Sequence, residues 1–502
     1  MAKKKKTAIH PTRATDYPEW YQQVVKIADL AEHAPVRGCM VIKPWGYALW
    51  ENIQRLLDVR LKATGHQNAY FPLFIPLKFL EREAKHIEGF AKECAVVTHH
   101  RLIKNDKGQL IPASPLEEPL VVRPTSEMII GKMFAKWIDS YRQLPLLINQ
   151  WANVVRWEMR PRVFLRTAEF LWQEGHTAHA TEEEARKKAK EILDLYIDFA
   201  ENILAIPVIP GEKSASERFP GAVATYTFEA MMQDGKALQA GTSHFLGQNF
   251  ARASEIMFSD PSGERTYPWM TSWGVTTRLI GGLIMVHGDD DGLILPPRIA
   301  SAQIAIIPLV HRAEKREELL AYCRALKTRL ENVSYHGYPL AVEIDESDAR
   351  SGDKVWSWIK KGVPMRIEVG ARELEAKKLS IAKRVQQHKE VALQTEKELL
   401  DTVTKQLDEL QQELFLRAKN FRDRYLTPIE TKDDFYQFFS EEKFPTGFAS
   451  AHWNGDPAVE EQIKRDLNVT IRCIPFDKEK EAGLCPFTHQ PSPQRVIFAK
   501  SY

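Results

Sequence analysis

At 502 residues the chain is longer than one hydrophobic core usually serves, which sets an expectation of two or three domains. Its apolar fraction of 44% and charged fraction of 27% are ordinary for soluble globular protein and exclude extensive disorder beyond the ends. A net charge of +2 gives no overall basicity of the kind that marks nucleic-acid binding, so any such surface has to be a local patch.

The start, Met1-Ala2-Lys3-Lys4-Lys5-Lys6, is charged with no apolar core behind it; it reads as a solvated tail and not as a secretory signal. Next in chain order, Ala69-Tyr70-Phe71-Pro72 and Leu146-Leu147-Ile148 read as strands. The stretch Arg156 to His176 alternates cations, carboxylates and rings. Arg156, Arg160, Arg162 and Arg166 lie among Trp157, Phe164, Phe170 and Trp172, and rings this dense suit a hairpin forming a pocket wall better than a loose loop. Guanidinium forks so placed suit phosphate without a glycine cradle.

From Thr181 to about Ile203 the apolar residues Ala185, Ala189, Ile192, Tyr196, Phe199 and Ile203 recur at helical spacing, with Thr181 and Glu184 as a capping box. Phe245 to Phe250 and Leu279 to Val286 are compact and apolar; the latter is too short, and too interrupted by Gly281 and Gly282, to span a membrane. The first 300 residues thus read as a mixed sheet with packed helices.

Pro296-Pro297 ends that region. Strand patterns at Ile304–Pro308, Ala341–Ile344 and Met365–Val369, with helices around Arg316–Leu330 and Asp353–Lys361, imply a separate α/β domain. Leu400, Val403, Leu407, Leu410 and Leu414 mark a connecting amphipathic helix, and a last unit runs from about Asn420 to Tyr502. The expected division is 1–300, 301–386, 387–419 and 420–502. Cys39, Cys94, Cys323, Cys473 and Cys485 are odd in number and scattered, which argues against a disulfide framework and for a reducing cytoplasm.

Five blocks carry chemistry in a fixed order: Arg123-Pro-Thr-Ser-Glu127, Asn149 to Glu158, Phe164 to His176, Gln239-Ala-Gly-Thr-Ser-His244 and Ser272-Trp-Gly-Val-Thr-Thr-Arg278. Singly each is weak, because small polar residues beside glycine usually make turns and a lone histidine such as His244 is usually a bonded core residue. Together they resemble the class II aminoacyl-tRNA synthetases, and within them the prolyl-tRNA synthetase family of the type shared by archaea, eukaryotes and some bacteria. The resemblance spans nearly the whole chain.

That resemblance implies an antiparallel α+β catalytic sheet, an α/β anticodon-binding domain, a small α+β C-terminal domain and a homodimer joined partly through the segment ending near Pro72. It implies ATP, magnesium and L-proline at the site and tRNA(Pro) as partner. Arg156 and Arg278 would be catalytic. Glu158, Arg166, Thr167, Phe170, Gln239, Thr242 and Thr276 would join them around ATP, with adenine between Phe170 and Arg278. Thr125 and Glu127 would clamp the proline ammonium, and Arg156, Trp172, Glu174, His176, His244, Ser272 and Trp273 would complete the amino-acid pocket. Glu368 and Arg372, with Lys383 and Arg384, would meet the anticodon.

Departures from the family pattern also carry expectations. The interval between the arginine hairpin and Arg278 is filled by the Thr181 helix and short strands, leaving no room for an editing insertion. The C-terminal unit offers only Cys473 and Cys485, with Asn454 after Trp453 and His489 four residues past Cys485; four ligands are the rule for structural zinc, so none is expected. The ending Ala499-Lys500-Ser501-Tyr502 resembles one that folds toward the active site, where a tyrosine carboxylate would order the pocket. Threonyl- and glycyl-type relatives share the architecture, but the Thr-Ser-Glu block with Trp172 to His176 favours proline. A non-enzymatic paralogue would have no need of both pockets.

Overall fold

The computed structural model describes residues 7–82, 93–158, 160–310, 313–387, 390–441, 443–476 and 481–502; the lysine run read as a solvated tail lies outside them. In chain order the elements that build the site are β1 (Gln67–Asn68), α1 (Glu127–Trp137), β2 (Leu146–Val155), β3 (Glu169–His179), α2 (Glu182–Asp198), β4 (Val208–Glu212), β5 (Ala224–Met231), β6 (Ala237–Gly247), β7 (Trp269–Thr276) and α3 (Arg278–His287). A second unit contributes β8 (Ile304–Pro308), β9 (Val342–Ile344), β10 (Met365–Val369), β11 (Leu379–Lys383) and β12 (Ala392–Gln394) in the order β9-β8-β10-β11-β12. Helix α4 (Glu396–Arg424) leads to β13 (Leu426–Pro428), β14 (Phe448–His452), β15 (Thr470–Pro475) and β16 (Arg495–Ala499).

The mixed α/β class expected is the one observed, but its largest sheet crosses units. Eleven strands run in the order β13-β14-β16-β15-β4-β5-β6-β7-β3-β2-β1, antiparallel except for the first and last pairs. Two rungs join the C-terminal strands to the rest, Gly211 opposite Pro475 and Glu212 opposite Ile474. A side chain at Gly211 would lie 2.5 Å from the Ile474 carbonyl oxygen, so the seam closes only over bare backbone.

Helix α2 packs Ala185, Ala189, Ile192, Leu193 and Tyr196 against the sheet, and Thr181 caps it by accepting from the Glu184 amide at 3.3 Å. Its α geometry stops at Asp198 and a π turn covers Phe199–Ile203; the apolar spacing survives that change, so the sequence reading ran through it. Ala69 to Pro72, read as a strand, lies between β1 and the strand Phe74–Pro76. Side chains replace the ladder there: the Phe71 amide donates to Gln150 Oε1 at 2.6 Å and its carbonyl accepts from Arg123 Nη1 at 2.7 Å. Phe245 to Phe250 spans the end of β6 and a helical turn, Asn249–Ala253, and the Leu279 to Val286 run lies in α3, apolar all round because every side is buried.

Helix α4 is more than a tether. It starts with a reciprocal capping box, Thr395 Oγ1 accepting from the Glu398 amide and Glu398 Oε2 from the Thr395 amide. It buries Leu399, Val403, Leu407 and Leu410 in the core of the second unit and Leu414 against Ala205 and Ile294 of the first. Arg384 is a correction to the sequence reading. Instead of facing anticodon, it donates to both oxygens of Asp289 at 2.9 and 2.6 Å and through Nε to the Leu293 and Ile359 carbonyls, locking the second unit to the end of α3.

Candidate active site

Strand periodicity builds the site. On β3 the residues Trp172, Glu174 and His176 are two apart and share a face; β7 places Ser272 opposite both His176 and the His244 of β6, and Gly274 opposite both Glu174 and Thr242. Three adjacent strands thus lay His176, Ser272 and His244 in one row and Glu174, Gly274 and Thr242 in the next. Gln239 and Thr242, three apart, would face opposite ways on a regular strand. A bulge opposite the Phe228/Glu229 step sets Gln239 across from Glu229 while Thr242 faces Thr227, returning both to one side.

These rows floor a cavity of about 390 Å³ whose lining includes every residue named for ATP and proline above. Trp273 is a partial exception. Its ring is 2% exposed and packs edge-on to His66 and Tyr196 on the far side, where a Cβ at Gly175 would come within 1.9 Å of it. The ring supports the floor from below instead of standing as a wall.

One end of the cavity is a buried acidic network. Glu174 accepts from Ser126 Oγ at 2.5 Å and Gln150 Nε2 at 2.7 Å and pairs with His176 Nε2 at 3.0 Å; Glu127 accepts a short hydrogen bond from the Thr125 hydroxyl. Burial opposes charge on His176, but the Glu174 hydrogen bond and the carboxylates of Glu174 and Glu127 overcome it and raise its pKa. His244 goes the other way: burial, then the neighbouring His176, push it down to about 3, and its two nitrogens meet the hydroxyls of Thr225 and Thr242. Two histidines of one row are therefore pushed in opposite directions. Trp172 Nε1 and Ser272 Oγ are buried without a hydrogen-bond partner among the described residues.

The other end is cationic. Arg156 follows β2, donates from Nε to the Pro124 carbonyl at 2.9 Å, and lies 5.6 and 5.7 Å from the rings of Phe170 and Trp172. Burial lowers its pKa against the pull of Glu127 and Glu93. The loop beyond it folds at Arg162–Arg166 with Phe164 at φ 62°, and Arg166 pairs with Glu158 at 2.8 Å. Arg278, at the start of α3, donates to the Leu165 carbonyl at 3.2 Å; burial and the charges of Arg166 and Arg156 hold it down to about 10. Arg278 thus feels the charges of both other guanidiniums, an arrangement that suits a polyanion.

The sequence reading missed Glu93, Glu217, Arg218 and Phe219, which also line the cavity. Phe219 stacks on His244 with centroids 4.5 Å apart, and its amide donates to Thr225 Oγ1. It sits in an irregular loop, where no periodicity points to a face. The last residues run beside β6: the Ala237 amide donates to the Lys500 carbonyl, the Tyr502 hydroxyl to Asp234 at 2.6 Å, and the Tyr502 ring lies 5.8 Å from the Arg162 guanidinium. Among the described residues no three His, Cys, Asp or Glu side chains are grouped to hold a metal, and no helix is long and apolar enough to cross a membrane. Cys473 faces the Ile209 carbonyl and Cys485 is buried, its carbonyl accepting from the His489 amide.

An antiparallel sheet that floors a cavity with three arginines at one end and a hydrogen-bonded Glu–His network at the other defines a class II tRNA synthetase core, and residues 111–287 match the model of that core domain for the G, H, P, S and T enzymes. Residues 303–406 match an anticodon binding domain and 434–502 the prolyl-tRNA synthetase C-terminal domain. The chain is 59% identical to proline–tRNA ligase 2 of Anaeromyxobacter dehalogenans and 58% identical to the proline–tRNA ligase of Protochlamydia amoebophila, each match covering 99% of both chains. It is 55% identical to the enzyme of that name from Bdellovibrio bacteriovorus. The chain belongs to the proline–tRNA ligase family.

Proposed function

We propose that this chain activates L-proline with ATP and transfers it to the 3′ end of tRNA(Pro). The observation that carries the reading is one cavity that joins a cationic end to a buried, acid-lined end. The proline carboxylate attacks the α-phosphate, forming prolyl-adenylate and releasing pyrophosphate; a terminal ribose hydroxyl of the tRNA then takes the prolyl group and AMP leaves. No side chain acts as nucleophile. Arg156 lies where the two substrates meet and neutralises the carboxylate and the phosphate in flight, while Arg278 serves the nucleotide side, so rate comes from alignment and charge neutralisation.

In this reading Phe170 and Arg278 sandwich adenine, with Glu158, Arg166, Thr167, Gln239, Thr242 and Thr276 completing the nucleotide side. Thr125 and Glu127 take the secondary ammonium. Trp172, Glu174, His176, His244 and Ser272 enclose the ring; Trp172 Nε1 and Ser272 Oγ, buried and without a partner among the described residues, are donors on two of these side chains. Magnesium enters on the triphosphate, whose oxygens supply most of its ligands. A missing methylene is worth only ~1–3 kcal/mol, so alanine is the predictable misfit substrate.

Residues 1–300 would form the catalytic domain, 301–386 the anticodon-binding domain, 387–419 a helical connector and 420–502 the C-terminal domain. Exposed Arg372 and half-buried Glu368, whose carboxyl burial pushes up, would meet the anticodon; Lys383 is drawn toward Glu409 at 3.8 Å. The segment between β1 and Phe74 leaves Tyr70 72% exposed, which suits a second copy of the chain and a homodimer. The five cysteines, odd in number and scattered along the chain, suit a reducing cytoplasm. Proline-dependent exchange of pyrophosphate into ATP tests the whole reading; exchange driven by another amino acid, or none, would end it.

A further inference from the structure

Beneath the cationic end lies a buried ion triad shared between two units of the chain. Glu229 on β5 is 0% exposed; Lys213, just past β4, donates to its Oε1 at 2.8 Å, and Arg472 on β15 donates to its Oε2 through Nε and Nη2, both at 3.0 Å. Thr227 adds a bond to Oε1, and Lys213 also binds the Arg472 carbonyl. Glu229 is held at about 2: burial opposes its charge, but the charges of Arg472 and Lys213 outweigh it. The triad is not remote from the chemistry. Glu229 is the direct cross-strand partner of Gln239, and Arg278 lies within electrostatic reach of both Glu229 and Arg472.

We propose that Arg472 is a positioning residue for the nucleotide end of the cavity: by occupying Oε2 of Glu229 it prevents that carboxylate from capturing Arg278, so a strand of the C-terminal unit sets the charge available to ATP. A buried carboxylate oxygen stripped of its partner is costly unless it takes up a proton or another cation reaches it. Lys213 is already committed to Oε1. Arg278, whose side chain donates to the Leu165 carbonyl, is the neighbouring guanidinium that can turn, and each step it takes toward Glu229 withdraws it from the cavity. The seam between β4 and β15 thus has a role beyond holding the C-terminal unit in place.

The inference rests on the reading of Arg278 as a nucleotide contact, so the test uses the full-length enzyme with Arg278→Ala as a control. In proline-dependent pyrophosphate exchange, Arg472→Met is expected to raise KM for ATP roughly tenfold or more while KM for proline stays within about twofold. The milder Arg472→Lys, which keeps the charge, should raise it about threefold. Adding Glu229→Gln to Arg472→Met should restore KM for ATP to within about threefold of the parent, since a neutral amide has little hold on Arg278. An unchanged KM for ATP in Arg472→Lys and Arg472→Met, a parallel rise for proline, or a double variant no better than the single one would overturn the positioning role alone, provided Arg278→Ala is impaired in ATP use. An unimpaired Arg278→Ala would overturn the nucleotide reading with it.

Discussion

The acidic end of the cavity around Glu174 and the cationic end around Arg156, Arg166 and Arg278 differ in what holds their side chains. Glu174 and His176 are 3% and 2% exposed; Glu174 meets Ser126 and Gln150 from other elements and holds His176 on its own strand, so that end is assembled before any ligand arrives. Arg166, by contrast, is 49% exposed at its side chain and, among the described residues, bridges to Glu158 alone. The lesson concerns where rigidity is placed. Selecting a small apolar ring needs a fixed shape, whereas gripping a flexible triphosphate needs charges that can follow it.

The contrast can be broken most severely at the point the two ends share. Arg156→Ala removes a cation from both and should lower kcat/KM for proline-dependent exchange by about a thousandfold, ~4 kcal/mol, the upper range for losing one transition-state donor. Glu174→Gln confines the damage to the rigid end: KM for proline should rise about a hundredfold with KM for ATP nearly constant, and an equal rise in both would erase the distinction. Gly175→Ala tests the shape itself. Its Cβ would meet the Trp273 ring at 1.9 Å, so stability should fall by ~1–3 kcal/mol and be seen as a lower Tm, with proline affinity reduced before ATP affinity. Phe219→Ala removes the stack under His244 and should raise KM for proline only about three- to tenfold.

Acidity provides the gentlest probe. His176 has its pKa raised by Glu174, so what its charged form contributes is complete below the ordinary histidine value near 6.5 and is lost as pH climbs through the raised one. KM for proline should therefore rise on the alkaline side, and His176→Gln should flatten that limb. For His244, depressed to about 3, the sign reverses: its contribution is present above about 6.5 and disappears as pH falls toward 3. His179 and His287 are depressed alike by burial, so Tm should drop on acidification even where catalysis is not being measured.

Much of the site was legible because strands alternate. Trp172, Glu174 and His176 sit two apart and declare a shared face, and Thr181 with the apolar spacing behind it announced helix α2. Gln239 and Thr242 were legible only by resemblance, since a spacing of three contradicts the alternation until the bulge is seen. Phe219 was missed because it lies in irregular backbone. Arg384 was misplaced because a position just past β11 reads as well for a solvent edge as for an inter-unit bridge; only the position of Asp289, 95 residues earlier, decides between them.

The sequence by itself determined which residues could do the chemistry, which elements carry them and the family to which the chain belongs, because periodicity, capping and block order are local or ordered along the chain. What the tertiary structure alone decided is where separate segments meet: a single sheet continuing from β4 into β15, α4 buried in two cores, and Glu229 held between Lys213 and an Arg472 that lies 243 residues away. Such pairings leave no periodic trace in the chain. They are selected by burial, which makes an unpartnered carboxylate costly enough that only the fold bringing its cations together persists.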